Sequence, residues 1–302
     1  MRLDDFDPSS IDVEDQRGDS GGFGGGFGGG FPLLPLLMLG GGRLGWGTLL
    51  LIVIGVFVFR GSPLHFVSSG DVGGALPGQQ QVQGGSTTAE SCTKDAGSRE
   101  ACKALDSLNR TWAPIMQQAG VAFSRPKLVF YTQEGRSGCG EAQSAMGPFY
   151  CPSDNGIYLD TDFFRQMDQE LGAGGAFARD YVIAHEFGHH IQNLIGTSNK
   201  VRRLQEDNPD AANPLSVQLE LQADCYAGVW AGQNRDRMEQ GDMESGLNAA
   251  HQIGDDTLMK SAGRRPAEAS FTHGSSAQRM EWLKKGIESG NPAVCNTFAD
   301  LR

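Results

Sequence analysis

The chain has 302 residues, enough for one large domain or two small ones, and its formal charge is −11. Because no Lys/Arg-rich stretch could line a groove for phosphates, this acidic balance argues against a nucleic-acid partner. The six cysteines are an even number that fits an oxidising compartment, with six reduced thiols in a cytosolic enzyme as the alternative.

The first 88 residues are predicted to contain no packed domain. Residues 1–43 are acidic and then glycine-rich, and we expect a disordered arm because they offer little apolar surface to offset ordering entropy. Residues 44–60 hold an uncharged apolar run between Arg43 and Arg60 and predict a single transmembrane helix. A buried core helix or a cleavable signal peptide are the alternatives, but no basic start or clear cleavage site is present. Residues 61–88, rich in Gly, Ser and Gln, predict a flexible linker.

The globular domain is predicted over residues 89–302. A helix is expected over 98–118, strands over 126–132 and 156–160, and a loop or hairpin over 138–150. With the helices that follow, this predicts an α+β fold in which a small, mostly antiparallel sheet precedes a helical half. The strands either form a wall to which an extended peptide could add as a further strand, or only support the helix that comes next.

That next helix, predicted over 176–194, carries His185-Glu186-Phe187-Gly188-His189, an H-E-x-x-H match. Residues four apart lie on one helix face, so His185 and His189 can bind one metal ion. Glu186 lies beside that face, where it can reach a metal-bound water. Gly188 is expected to leave room near the metal. His190 points elsewhere and is interpreted as a residue that supports the site or packs behind it.

A third ligand is expected from a second helix, over 215–232, after a polar loop over 200–214. Glu220 can approach the metal from another direction, and Asp224, one turn later, can accept the free N–H of a ligand histidine. Two histidines and one glutamate leave a fourth position for water, which is typical of a catalytic rather than a structural zinc site.

The segments HEFGHHIQN and ELQADCYAG resemble the putative neutral zinc metallopeptidase family of bacterial membrane-anchored proteins, within the gluzincin group. VEDQRG at 13–18, AAHQIGDD at 249–256 and FTHGSSAQRMEW at 271–282 are similar to further blocks of that family. The resemblance implies a zincin-like domain that binds one Zn²⁺ ion, with Glu186 as general base and Asp224 orienting a ligand. The implied zinc ligands are His185, His189 and Glu220.

The resemblance also implies a role for His273. The fragment from His273 to Arg279 is similar to a His-x-x-x-x-x-Arg element of related membrane proteases, although Gly274 stands where those proteins usually have proline. His273 could stabilise the oxyanion of a tetrahedral intermediate. His251 competes for this role, and a third option is that neither acts. Arg279 either forms a structural ion pair or contacts the substrate.

Three disulfides are expected from position along the chain. Cys92 and Cys102 flank the start of the first helix, and Cys139 and Cys151 bracket the glycine-containing loop. Cys225 follows Asp224, and a bond to Cys295 would fasten the C-terminal tail to the ligand helix. A zinc-bound Cys225 is the alternative, and it would make the site structural.

These features predict a membrane-anchored zinc metallopeptidase that hydrolyses peptide bonds in a peptide or protein substrate through an activated water. The N-terminus is expected in the cytoplasm and the domain outside it. One alternative is a membrane-tethered scaffold with a catalytically silent zinc site. Another is a zinc hydrolase acting on a non-peptide amide.

Overall fold

The computed structural model describes residues 1–18, 87–169 and 172–299. Within them the strands are β1 (Asp12–Asp15), β2 (Lys127–Tyr131), β3 (Glu134–Ser137), β4 (Gly140–Gln143), β5 (Phe149–Cys151) and β6 (Gly156–Asp160). The helices that precede the sheet or adjoin it are α1 (Thr88–Thr93), α2 (Ala96–Gln118) and α3 (Phe163–Gln169). The helical half contains α4 (Ala176–Leu194), α5 (Thr197–Asp207), α6 (Ala212–Gln233), α7 (Asp242–Gln252), α8 (Asp255–Ser261) and α9 (Ser276–Ser289).

The main sheet has the strand order β1-β2-β6-β5. Strand β2 runs parallel to both β1 and β6, and only β5 pairs antiparallel with its neighbour β6. The predicted α+β class is confirmed, but the prediction of a mostly antiparallel sheet is wrong. Parallel pairing needs a long return path. The segment between β2 and β6 provides one, and it contains the separate hairpin of β3 and β4.

Residues 1–18 differ from the disordered arm expected over 1–43. Leu3 and Ile11 are buried in the main hydrophobic core, and β1 adds a fourth strand to the sheet. These two buried apolar residues and the short strand were not predicted, because the segment is acidic overall. The rest of the predicted arm, the predicted transmembrane helix at 44–60 and nearly all of the predicted linker lie outside the described residues. Among the described residues, no helix is long and apolar enough to span a membrane.

Helix α4 is the buried centre of the domain. It matches the predicted 176–194, and it packs against α2, α6 and α7 with most of its side chains inaccessible to solvent. The loop predicted over 200–214 is largely helical, because α5 continues directly from Gly196 and needs to bury only Val201. Pro214 lies in the first turn of α6, where the missing N–H costs no helical hydrogen bond.

The three predicted disulfides are present, linking Cys92 to Cys102, Cys139 to Cys151, and Cys225 to Cys295. The second fastens the end of the β3–β4 hairpin to β5, so that the hairpin covers a small apolar cluster on the outer face of the sheet. The third ties the C-terminal tail to α6, the helix that also carries Glu220 and Asp224.

Candidate metal centre

Two imidazoles and one carboxylate converge between α4 and α6. His185 Nε2 lies 3.1 Å from Glu220 Oε2, and His189 Nε2 lies 3.4 Å from Glu220 Oε1. One ligand atom from each of the three residues lies within 4.8 Å of the other two. The i, i+4 spacing brings the histidines together on α4, but only the packing of α6 against α4 brings Glu220 to them.

The donor set fits a zinc ion. Ligand atoms about 2.0–2.2 Å from a tetrahedral zinc are about 3.3–3.6 Å from one another, and the two imidazole-to-carboxylate distances are 3.1 and 3.4 Å. The side chains of His185, His189 and Glu220 are 8, 20 and 18% exposed. The site is therefore mostly screened from water, while His189 and Glu220 stay partly accessible, so that a fourth ligand could reach them.

Both ligand histidines are held through the ring nitrogen that faces away from the metal position. His185 Nδ1 is 2.7 Å from Asp224 Oδ1, as expected from the sequence. His189 Nδ1 is 2.9 Å from Gln192 Oε1, and the Gln192 amide in turn donates to the carbonyl of Leu219 on α6. Since each Nδ1 carries the proton that these acceptors require, each Nε2 is left free to bind a metal.

Gln192 was not identified from sequence. Its signal is the i, i+3 spacing from His189, which places its amide beside the imidazole on the same helix face.

Asp224 connects the ligands to a buried ion pair. Its carboxylate accepts hydrogen bonds from Tyr181 Oη (2.6 Å), from Arg279 Nε (2.8 Å) and from Arg279 Nη2 (2.9 Å), besides that of His185. Burial opposes ionisation of Asp224, but the Arg279 guanidinium and His185 hold its pKa at about 2. Of the two roles considered for Arg279, the structure therefore gives it the structural ion pair.

Without a metal, the carboxylates of the site favour the protonated form of both ligand histidines. Burial disfavours the imidazolium of His185, but Asp224 and Glu220 raise its pKa to about 10. Burial likewise opposes charge on His189, and Glu220 outweighs it and raises the pKa. Burial raises the pKa of Glu220, whereas His189, His185 and His273 lower it more strongly. Metal binding must therefore displace protons, as it does at sites built from basic ligands.

Glu186 is buried, with 8% of its surface exposed. Burial raises the pKa of its carboxyl group, and the neighbouring His185 and His189 work against that rise. A buried carboxylate with a raised pKa is a stronger base than one in water.

Gly188 permits the close approach of α4 and α6 rather than leaving room for the metal. A Cβ at this position would lie 2.8 Å from the carbonyl oxygen of Ala223 and 2.9 Å from its Cα. Ala223 is three residues beyond Glu220, so the absence of a side chain at Gly188 sets how closely the two ligand-bearing helices approach each other.

His190 supports the site without facing it. Its Nε2 donates to the Ser124 carbonyl (2.7 Å), and its Nδ1 accepts from Tyr150 Oη (3.0 Å). Burial lowers the pKa of His190 to about 4, which keeps the ring neutral at physiological pH. Because Tyr150 lies on β5, this neutral histidine ties the edge of the sheet to the metal-ligand helix.

The two remaining candidate histidines differ in their surroundings. His251 is exposed at the end of α7. The His273 side chain is 20% exposed, lies beside Asp255, and is among the groups that lower the pKa of Glu220. The backbone at Gly274 has φ +93°, which proline cannot adopt, so this turn differs from the proline-containing version.

Comparisons with known proteins cover nearly the whole chain. The family described as "putative neutral zinc metallopeptidase" matches residues 4–298. "Uncharacterized protein YpfJ" from Escherichia coli K12 is 44% identical over 292 residues, which is 96% of each chain. "Uncharacterized protein Rv2575" from Mycobacterium tuberculosis is 39% identical over 211 residues, covering 65% of this chain and 69% of its own. No solved structure matches significantly.

Proposed function

Because the chain belongs to the putative neutral zinc metallopeptidase family, we propose that it is a zinc-dependent endopeptidase. The observation that carries this proposal is the convergence of His185, His189 and Glu220, of which the last two are partly accessible, with a buried acid, Glu186, next in sequence to His185. A metal that only stabilised the fold would need neither an accessible ligand set nor the extra acid.

Each residue of the site has a proposed task. When bound, zinc supplies Lewis-acid polarisation of the scissile carbonyl and makes water more acidic. His185, His189 and Glu220 hold the ion, while Asp224 and Gln192 keep the imidazoles in the required tautomer. Glu186 accepts a proton from the attacking water and delivers it to the departing amine. His273 donates a hydrogen bond to the carbonyl oxygen as it gains negative charge.

A peptide or protein substrate is proposed to bind along β5. This strand lies at the edge of the four-stranded sheet, and no described strand pairs with its outer side. The Tyr150–His190 hydrogen bond holds β5 against α4. An extended peptide could therefore add its backbone to β5 and present a carbonyl to the metal site.

We also propose that the domain lies outside the cytoplasm, at the cell membrane. The support is that all six cysteines are paired, since such bonds persist in oxidising compartments.

The test uses the full chain, purified from membranes in detergent, and compares wild type with Glu186→Gln. Glu206→Gln, at an exposed position on α5, is the matched control for loss of one carboxylate. Zinc content and hydrolysis of unfolded protein are measured on the same samples. We expect one zinc per chain in all three, with cleavage by the wild type and the control and a loss of at least about 10²-fold in Glu186→Gln.

Full zinc occupancy without cleavage of any peptide by the wild type would refute the peptidase. That result would favour the scaffold or a non-peptide amide substrate. Absence of zinc from the wild type, after purification without chelators, would refute the ligand assignment itself.

A further inference from the structure

The turn that carries His273 is organised by one buried carboxylate, Asp255, at the start of α8. Asp255 is 1% exposed. Its Oδ2 accepts the backbone N–H groups of Thr272 (2.7 Å), His273 (2.8 Å) and Gly274 (3.2 Å). Its Oδ1 lies 3.2 Å from His273 Nδ1, a nitrogen that also lies 3.1 Å from the Thr272 hydroxyl. One side chain thus fixes both the backbone of the turn and the imidazole that projects from it.

The contact with Asp255 determines which ring nitrogen of His273 is available. Burial opposes ionisation of Asp255, but His273 and the backbone amides lower the pKa of its carboxyl group, so it is an anion and an acceptor. His273 Nδ1 must then carry the proton. Nε2 is then the nitrogen that can meet a substrate, and it donates a hydrogen bond when the ring carries a proton on both nitrogens.

The His273 turn also lies against the helix that supplies Glu220. A Cβ at Gly274 would be 3.3 Å from Leu221 and 3.3 Å from Val217, both on α6. Leu221 follows Glu220 directly, so the turn is anchored beside a metal ligand.

The neighbouring Asp256 performs the same backbone task without touching the imidazole. It accepts hydrogen bonds from the backbone N–H (2.7 Å) and hydroxyl (2.8 Å) of Ser276, at the start of α9. Asp255 and Asp256 therefore both join α8 to the 272–276 segment, but only Asp255 contacts the His273 ring.

We propose that Asp255 is a positioning residue: it accepts the hydrogen bond of His273 Nδ1–H and so directs the Nε2–H of the imidazolium towards the carbonyl oxygen of the substrate. This inference rests on the proposed peptidase function. It assigns a task to the block AAHQIGDD, whose function the metal site does not explain.

The experiment compares Asp255→Asn, His273→Ala and their double variant with Asp256→Asn as the structural control, all in the full chain. Asp255→Asn should lower kcat by about 10–100-fold, as loss of a partner of a catalytic group does. KM and zinc content should stay within about twofold of wild type, because neither substrate binding nor the metal ligands change. The double variant should be no slower than His273→Ala alone. Asp256→Asn should lower the urea midpoint but leave kcat unchanged.

Equal kcat in Asp255→Asn and wild type, or losses in the two single variants that multiply in the double variant, would overturn the proposal. A second readout does not depend on turnover: ¹⁵N chemical shifts of His273 should report Nδ1–H in the wild type and change in Asp255→Asn. If the shifts change but the wild type cleaves nothing, the peptidase function fails and the positioning stands. If they do not change, the positioning fails.

An independent set of contacts bears on the arrangement of the chain at a membrane. Strand β1 pairs with β2 over four residues, from Asp12 opposite Lys127 to Asp15 opposite Phe130. Arg17 then donates one hydrogen bond to Asp95 Oδ2 (2.8 Å), just after α1, and another to the Ser91 carbonyl (3.0 Å), within α1.

The Arg17 guanidinium also lies 4.6 Å from the ring centre of Phe130, and its side chain is only 6% exposed. The end of the first described segment, at Gly18, therefore lies close to α1, near the start of the second described segment at Thr87.

We infer that residues 1–18 and 87–299 lie on the same side of the membrane. A cytoplasmic N-terminus combined with an extracytoplasmic domain is incompatible with the pairing of β1 and β2. The first residues of the VEDQRG block thus belong to the edge strand β1, and its Arg17 fastens the segment to the start of the helical region.

The test introduces Asp12→Cys and Lys127→Cys, singly and together, in the full chain. Asp12 is exposed and Lys127 is partly exposed, and the two are directly opposite across β1 and β2. In intact spheroplasts a membrane-impermeant maleimide should label both single variants equally. The double variant should resist labelling until it is reduced, because the two thiols form a disulfide.

Labelling of Lys127→Cys before lysis but of Asp12→Cys only after lysis would overturn the same-side arrangement. The single variants decide this even if strand geometry disfavours the cross-link, since each reports its own compartment.

Discussion

Replacement of Gly188 by alanine tests whether the metal site depends on the spacing of two helices. In an open helix this change stabilises by about 1 kcal/mol, because alanine is the better helix former. Here the new Cβ would meet the Ala223 backbone at 2.8 and 2.9 Å, and backbone atoms cannot rotate away. Overpacking of this kind costs about 1–3 kcal/mol, so we expect a net loss of stability despite the gain in helix propensity.

The larger effect of Gly188→Ala should be on metal binding. To restore an ordinary contact distance, α4 and α6 must separate by roughly 0.5–1 Å, whereas zinc tolerates about 0.2 Å in its ligand distances. Glu220 would move away from His185 and His189, and zinc affinity should fall by about tenfold or more. Urea unfolding of the metal-free protein measures the first effect, and competition with a chelator measures the second.

Gly232→Ala is the matched control. Its Cβ would lie 2.6 Å from the Ile287 carbonyl oxygen, an equally severe backbone clash, but about 18 Å along α6 from Glu220. This variant should lose stability and keep its zinc affinity. The reasoning is refuted if Gly188→Ala is more stable than the wild type, or if both variants lose zinc affinity equally.

Three further predictions concern the rest of the domain. Arg279→Leu removes the guanidinium partner of the fully buried Asp224 carboxylate; the unfolding free energy should fall by about 3–5 kcal/mol in urea titrations, and adding Asp224→Asn should recover part of it. Removal of the Cys225–Cys295 bond, which spans 70 residues, should cost up to about 4 kcal/mol by chain entropy, and an unchanged urea midpoint under reducing conditions would contradict this. Burial opposes ionisation of Asp256, but Ser276 and Lys260 hold its pKa at about 2. Its stabilising effect is therefore present above about pH 4 and lost as the pH falls towards 2, so wild type should lose more stability than Asp256→Asn between those values.

The chemistry of the metal site could be predicted because it depends on the spacing of residues within each of two helices. His185 and His189 are one helical turn apart, as are Glu220 and Asp224, and any helix places such pairs on one face. The three disulfides were predictable for a similar reason, since each cysteine lies next to an element boundary or a motif that needs fastening.

The arrangement of the sheet could not be predicted in the same way. The strands at 127–131 and 156–160 were identified from their own composition, but strand direction depends on which path the connecting chain takes. Strand β1 was missed altogether because its residues, Asp-Val-Glu-Asp, have little strand propensity and are held by their partner Lys127–Tyr131.

By itself the sequence determined the two ligand-bearing helices, the residue types of the metal site and the cysteines available for cross-linking, because these follow from periodicity and chemistry within short segments. Only the tertiary structure decided which distant groups meet. It put the Gln192 amide against the Leu219 carbonyl, Arg279 against Asp224, Asp255 around the His273 turn and residues 1–18 into the sheet. Each of these contacts joins segments that are separate along the chain. Which groups meet therefore depends on how the helices and strands pack together, and no pattern within a short segment reveals it.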